Sequence, residues 1–228
     1  MMIGALADVH GNFDAMMRAM ERHADVPFWI CVGDLANRAG EYPEPVAPLY
    51  WIKGNNENFD RIAEWEAGKA LVPNLHFIRN GTVVSAGPLR VAGLGGTFAP
   101  KWFDTPAARL PHTKSDDKRR HFVREEAEAC TRLRDVDILM THEAPRPFIV
   151  PLRPDSAPAN KRRLDAGKPA INAVLATLKP RLHLFGHHHR FMETEREGVR
   201  SVCIDRVNRS YLLVDADSLE YEKIDWEP

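Results

Sequence analysis

Five apolar runs of this 228-residue chain each carry, at or near their end, a side chain that can bind a metal ion. IGALADVH carries Asp8 and His10, FWICVGD carries Asp34, LYWIKGN leads to Asn55, ILMTHE carries His142, and LHLFGHHH carries His187 and His189. The histidine triplet is internal and follows Gly186, so it is no purification tag. Residues two apart in extended chain point the same way, so Asp8 is expected to share a site with His10, and His187 with His189, while His188 faces elsewhere. Seven oxygen and nitrogen donors exceed what one catalytic ion with an open position needs, and they suit two. If Asp34 bridges, one ion takes Asp8, His10, Asp34 and His189, and the other takes Asp34, Asn55, His142 and His187. Ligands of this kind, without thiolate, suit two divalent ions, manganese first, with iron or zinc as alternatives. A pair about 4 Å apart can hold a bridging hydroxide at neutral pH and stabilise the charge that develops during displacement at phosphorus. The chemistry expected is metal-assisted hydrolysis of a phosphate ester.

To bring these donors together the apolar runs must be strands whose ends meet. Where helices cross over between strands, ligands gather beyond the carboxyl ends of the sheet. The sequence supplies such helices. From Asn12 to His23, Phe13, Met16, Met17 and Met20 fall on one face. FDRIAEWEAGK reads as a short helix, and His121 to Arg134 is a third, with Val123, Ala127, Cys130 and Leu133 at helical spacing. Pro169 suits the first turn of a fourth, striped by Ile171, Val174, Leu175 and Leu178. In LHFIRNGTVVSAG two alternating runs meet at Asn80 and Gly81, which predicts a type I′ hairpin. LRVAGLGG follows as a further strand, and the end of the chain reads as closing antiparallel strands. Crossovers early and hairpins late imply an α/β fold with a mixed sheet system covered by helices. The proline- and charge-rich stretch from Arg146 to Lys168 is expected to be a functional or disordered loop.

Composition narrows the setting. With 44% hydrophobic and 28% charged residues the chain can bury one large core, so residues 1–228 are expected to form one domain. A net charge of -1 gives no overall attraction to nucleic acid or to an anionic membrane. Cys31, Cys130 and Cys203 are odd in number and far apart, as buried reduced thiols would be. No apolar run reaches the length of a membrane span, and the opening lacks the basic region of a leader, so a cytoplasmic location is expected. The sequence carries no signal for oligomeric state.

The segments DVHGN (8–12), GD (33–34), GNNE (54–57), THE (141–143) and GHHH (186–189) resemble the five ordered motifs of the calcineurin-like metallophosphoesterases. The resemblance runs from Asp8 to His189 and implies a four-layer α/β/β/α sandwich, two mixed sheets between helices, with a binuclear centre at one end. It implies the same two ligand sets, and a substrate that is a phosphorylated small molecule or a nucleotide. Within the family, VPNLHFIRNGTVVSAGPLRVAGLGG, then KRRHF, then DILMTHEAPRP is similar to RNA lariat debranching enzymes. A nuclease or debranching-type phosphodiesterase is therefore the alternative, with nucleic acid as partner. A non-catalytic metal-binding scaffold is a third reading, disfavoured because none of the seven donors is missing.

One position departs from the resemblance. Where the family has a histidine that helps protonate the leaving group, this chain has Asn56, and an amide cannot serve as a general acid near neutral pH. Phosphodiesters or activated monoesters are favoured accordingly, with Glu57 as a substitute acid. Arg38, four after Asp34, is like the phosphate-binding arginine of the phosphoprotein phosphatase branch; a guanidinium fork suits two phosphate oxygens, and a plain exposed loop arginine is the other reading. Asn12 is expected to cap the helix that follows it. His188 either meets a substrate phosphate from the rim or stays solvated. His23, His76, His112, His121 and His183 read as surface or packed residues. The basic clusters Lys118–Arg120 and Lys161–Arg163 could draw a polyanion, and TKSDDKRR could fold over the cleft.

Overall fold

The computed structural model describes residues 1–69, 71–113, 116–151 and 163–226. Its layering follows from strands that are apolar on both faces. In β1 (Met2–Leu6), Ile3 and Ala5 enter one core and Leu6 another; in β2 (Trp29–Cys31), Ile30 lies opposite to Trp29 and Cys31. Strands buried on both sides read as unbroken apolar runs, as these do. The strands β1, β2, β3 (Leu49–Trp51) and β4 (Leu75–Phe77) are successive parallel neighbours. Beyond β1, β15 (Ser210–Asp215) and β16 (Tyr221–Asp225) add antiparallel, giving the order β16-β15-β1-β2-β3-β4.

The second sheet has a parallel centre of β6 (Leu89–Leu94), β9 (Ile138–Thr141), β12 (Leu182–Phe185) and β14 (Val199–Cys203). Its antiparallel edges are β5 (Thr82–Ala86) and β13 (Met192–Arg196), so the order is β13-β14-β12-β9-β6-β5. Two short pairs complete the strands: β7 (Thr97–Phe98) with β8 (His121–Phe122), and β10 (Ile149–Pro151) with β11 (Arg163–Asp165).

The sheets face each other across Ile3, Ile30, Ile52, Val91, Met140 and Leu184, all fully or almost fully buried. On the outer face of the first sheet, α1 (Phe13–Arg22) and α2 (Phe59–Glu66) press Met16, Met20, Ile62 and Trp65 against Trp29 and Trp51. On that of the second, α3 (Arg124–Thr131) and α4 (Pro169–Leu178) press Cys130, Ile171 and Leu175 against Ala92 and Leu139. Each large aliphatic side chain buried this way contributes about 1.5–3 kcal/mol. The result is the four-layer α/β/β/α sandwich. All three cysteines are buried and free. Among the described residues no helix is long and apolar enough to cross a membrane.

Three expectations change. Asn80 and Gly81 do not close a hairpin, because β4 belongs to the first sheet and β5 to the second. The chain crosses between sheets there, and the Asn80 side chain clamps Gly95 from both sides, accepting from its N–H at 2.7 Å and donating to its carbonyl at 3.1 Å. The third helix starts at Arg124 rather than His121, since His121 and Phe122 are drawn into β8. Within the 146–168 stretch, β10 and β11 pair as strands, while residues 152–162, including Lys161 and Arg162, lie outside the described residues.

Candidate metal centre

The parallel strands β1, β2 and β3 of one sheet and β9 and β12 of the other deliver their following loops to one end of the sandwich. Six of the seven candidate donors gather there in two groups, Asp8 with His10 and His189, and Asp34 with His142 and His187, each with its ligand atoms within 4.8 Å of one another. Asp34 stands between them: its Oδ2 lies 3.5 Å from His10 Nε2 and 3.5 Å from His142 Nε2. Asn55, the seventh, places Oδ1 3.1 Å from His142 Nε2. In the first group, His10 Nε2 and His189 Nε2 are 3.0 Å apart and lie 3.8 and 3.7 Å from Asp8 Oδ1.

The local backbone that achieves this is not the extended alternation expected from spacing. Asp8, His10, Asp34, His187 and His189 all have positive φ, between 46° and 70°, and the strands have ended before each of them. Left-handed backbone is uncommon for residues other than glycine, although aspartate and histidine are enriched among the exceptions. Five such residues at one site mean that the surrounding fold holds them in place. Two glycines make room: a Cβ on Gly54 would lie 2.1 Å from Asp34 Oδ1, and one on Gly186 would lie 2.8 Å from Asp8 Oδ2. As a consequence His187 and His189 serve different groups, and His188 turns away to pack on the Phe148 ring at 4.6 Å.

Protonation follows from burial and charge. Burial pushes the Asp8 carboxyl up to about 7, with His142 and the His187 N–H opposing and Asp34 adding to the rise. Burial also pushes Asp34 up, but His142 and the two Asn56 N–H donors outweigh it and hold the carboxyl below the usual range. His142 is lowered by burial, yet the Asp34 charge beside it prevails and lifts the ring to about 10. Burial depresses His10, takes His187 down to about 3 and His189 down to about 4, so these rings are neutral at pH 7 and offer lone pairs. His142 Nδ1 lies 2.8 Å from the Val32 carbonyl and donates to it, which turns Nε2 toward Asp34 and Asn55. Two carboxylates almost free of solvent, Asp34 ionised beside a protonated His142 and Asp8 about half protonated at pH 7, hold protons where bound cations would take their place. The donor set fits two hard or borderline divalent ions.

The remaining candidates divide. Asn56 donates its backbone N–H to Asp34 Oδ1 at 2.7 Å and its side-chain amide to Oδ2 at 2.8 Å, so it orients the central carboxylate. Glu57 accepts from the backbone N–H groups of Leu35, Ala36 and Gly54, which ties the loop after β2 to the loop after β3. Asn12 takes the capping position of α1 but makes no side-chain cap; its amide donates to the Val9 carbonyl and braces the turn that carries Asp8 and His10. Arg38 is exposed and lines a cleft of about 960 Å³ that opens over His10, Asn55 and Asn56. Thr113, Asp117, Arg119 and Arg120 line that cleft as well, and the basic run is neutralised: Lys118 and Arg120 pair with Asp116, and Arg119 with Asp117 and Asp60.

His112 and Arg206 also line the cleft, and sequence reasoning assigned neither to it. Both come from irregular loops whose spacing carries no periodic signal. The other histidines are packed as expected: His23 on Tyr211, His76 on Tyr50, His121 on Thr97. His183, fully buried and lowered by burial to about 3, is bridged between Thr141 and Ser201 at 2.9 and 3.0 Å, directly beneath the turn that bears His142.

Comparison with known proteins agrees with this geometry. The calcineurin-like phosphoesterase family profile matches residues 1–191. The lariat debranching enzyme of Schizosaccharomyces pombe is 26% identical over 196 residues, covering 79% of this chain and 42% of that enzyme. The lariat debranching enzyme of Entamoeba histolytica is 21% identical over 274 residues, covering 98% of this chain and 75% of that enzyme. The chain thus spans 42% of the first relative's length and 75% of the second's. A crystal structure of a Thermus thermophilus protein superposes with a TM-score of 0.65 over 98% of both chains at 15% identity, a likeness of fold. With most of its length matched, and the strand ends of two sheets meeting as described, the chain belongs to the calcineurin-like phosphoesterase family.

Proposed function

We propose that the protein is a binuclear metal-dependent phosphoesterase that hydrolyses phosphodiester or activated phosphomonoester bonds. The observation that carries this reading is Asp34 standing 3.5 Å from a histidine of each donor group, as a shared ligand would. Asp8, His10, Asp34 and His189 would hold one divalent ion, and Asp34, Asn55, His142 and His187 the other. Bound there, the two ions would supply Lewis acidity and an activated water, with manganese the first candidate and iron or zinc the alternatives.

The chain's own residues then set which esters are cleaved. Asn56 keeps Asp34 in register through two hydrogen bonds. Arg38, exposed on the cleft and without an ion pair among the described residues, would take two oxygens of the scissile phosphate. Neither substitute weighed for the missing proton donor is free for that part: the Glu57 carboxylate is occupied by three backbone N–H groups, and His188 lies against Phe148. Leaving groups that depart without a proton are therefore preferred. The similarity to two lariat debranching enzymes favours a second reading, a phosphodiesterase acting on RNA, in a cleft of about 960 Å³ that is large enough for a nucleotide.

The test is metal analysis of the purified protein together with manganese-supplemented hydrolysis of an activated monoester, an activated diester, a cyclic nucleotide and an oligonucleotide. Turnover with about two ions per chain is expected, highest on the diesters. Full metal without turnover on any substrate would move the protein to the scaffold reading.

A further inference from the structure

The loop between β14 and β15 passes from one sheet to the other at the end where the donors meet. Its backbone is pinned: Ile204 N–H donates to the Phe185 carbonyl at 2.8 Å, and Val207 N–H donates at 3.0 Å to the carbonyl of Ala7, the residue before Asp8. The carbonyl of Arg206, between them, accepts from Arg209 and Ser210. Arg206 is therefore held in a fixed place, and its side chain lines the cleft beside His10. Its charge bears on Asp8, His10 and His189, which puts the guanidinium on the flank of the first donor group.

That guanidinium has no partner among the described residues. Its Nε is buried and makes no hydrogen bond. The adjacent carboxylate is already used, since Asp205 accepts from the Arg206 backbone N–H at 2.7 Å and faces Arg209 at 3.7 Å. Arg119 and Arg120, which also line the cleft, are both paired with aspartates. A buried, unsatisfied cationic donor is costly, and a planar fork of N–H groups is matched by a phosphate. A cleft of about 960 Å³ also exceeds the needs of one phosphoryl group.

We infer that Arg206 binds a second phosphate, one linkage from the scissile one, so that ligands with adjacent phosphates, as in oligonucleotides and nucleoside bisphosphates, bind more tightly than those with a single phosphate. This rests on the phosphoesterase reading for the position of the scissile group. Arg206 would then set specificity, leaving the first phosphate to the donor groups and Arg38.

The test compares equilibrium binding of thymidine 3′,5′-bisphosphate and thymidine 5′-phosphate to the manganese-loaded full chain and to Arg206→Gln and Arg206→Lys, with thermal melting to verify folding. The bisphosphate should bind the parent chain roughly 10- to 100-fold more tightly. Arg206→Gln should bring that ratio to within about threefold, and Arg206→Lys should keep part of it. A parent chain that binds both ligands alike, a ratio untouched by Arg206→Gln, or equal weakening of both ligands would overturn the inference. Hydrolysis of bis(p-nitrophenyl) phosphate, measured in parallel, separates the two ideas. Selective bisphosphate binding without turnover would sink the phosphoesterase reading alone, and turnover with unselective binding would sink the role of Arg206 alone.

Discussion

The two donor groups are built from similar residues and held very differently. In the group of Asp34, His142 and His187, the His142 ring is fully buried, its Nδ1 is fixed on the Val32 carbonyl, and Asp34 is gripped at both oxygens by Asn56. In the group of Asp8, His10 and His189, Asp8 receives the His187 N–H, but the two rings are 24% and 32% exposed and touch mainly each other. Outer hydrogen bonds orient a ligand and raise its basicity, so the first arrangement is already set, whereas the second would be completed by a bound ion. One end of the centre is a socket and the other a lip, with His10 lining the cleft.

The largest expected effect comes from the residue that stands between the groups. Asp34→Asn should lower hydrolysis of an activated diester by about a thousandfold and leave fewer than two ions per chain by metal analysis. Retention of one full group with substantial turnover would mean that the two halves work independently. Next, a metal titration should be stepwise, with the Asp34, His142 and His187 group filling at roughly 10- to 100-fold lower free metal, so that His142→Ala costs more affinity than His10→Ala. A single step with equal losses would erase the contrast drawn above.

A smaller effect is expected at Asn56. Asn56→Ala should weaken metal binding by about tenfold through loss of the grip on Asp34. Asn56→His should raise rates on poor leaving groups relative to good ones, and an unchanged ratio would count against the missing-acid account. The smallest effect lies beneath the buried group. His183 is lowered to about 3 in the fold from an ordinary 6.5, so its contribution is present above pH 6.5 and is lost as pH falls toward 3. The slope is about 1.4 kcal/mol per pH unit for one proton taken up on unfolding. Melting temperatures between about pH 8 and 4 should therefore decline less steeply in His183→Gln than in the parent chain.

Much of this was legible in the residues. Strands such as β1, β2, β9 and β12 are apolar on both faces, and a donor at the end of a parallel strand has only one end of the sheet to occupy, so the convergence of Asp8, Asp34, His142 and His187 could be read from order alone. The detail of that convergence could not. Spacing of two suggested extended chain at Asp8–His10 and His187–His189, whereas tertiary packing imposes left-handed turns there. Asn80–Gly81 announces a reversal but not which sheet receives the next strand, and here the strand crosses over. Arg206 and His112 reach the cleft from loops, where neither periodicity nor turn chemistry points to a destination.

The positive φ angles of Asp8, His10, Asp34, His187 and His189 also limit what can stand there. An L-residue with a bulky or branched side chain would add roughly 1–2 kcal/mol of steric cost per position before any lost bonding is counted. Asparagine and glycine tolerate the geometry, so they are the replacements that weaken or remove a donor while sparing the scaffold. The alphabet of this centre is thus written twice, once by the affinity of oxygen and nitrogen for cations and once by the shape of the main chain, and a library that varied these five positions freely would be sorted by folding before chemistry.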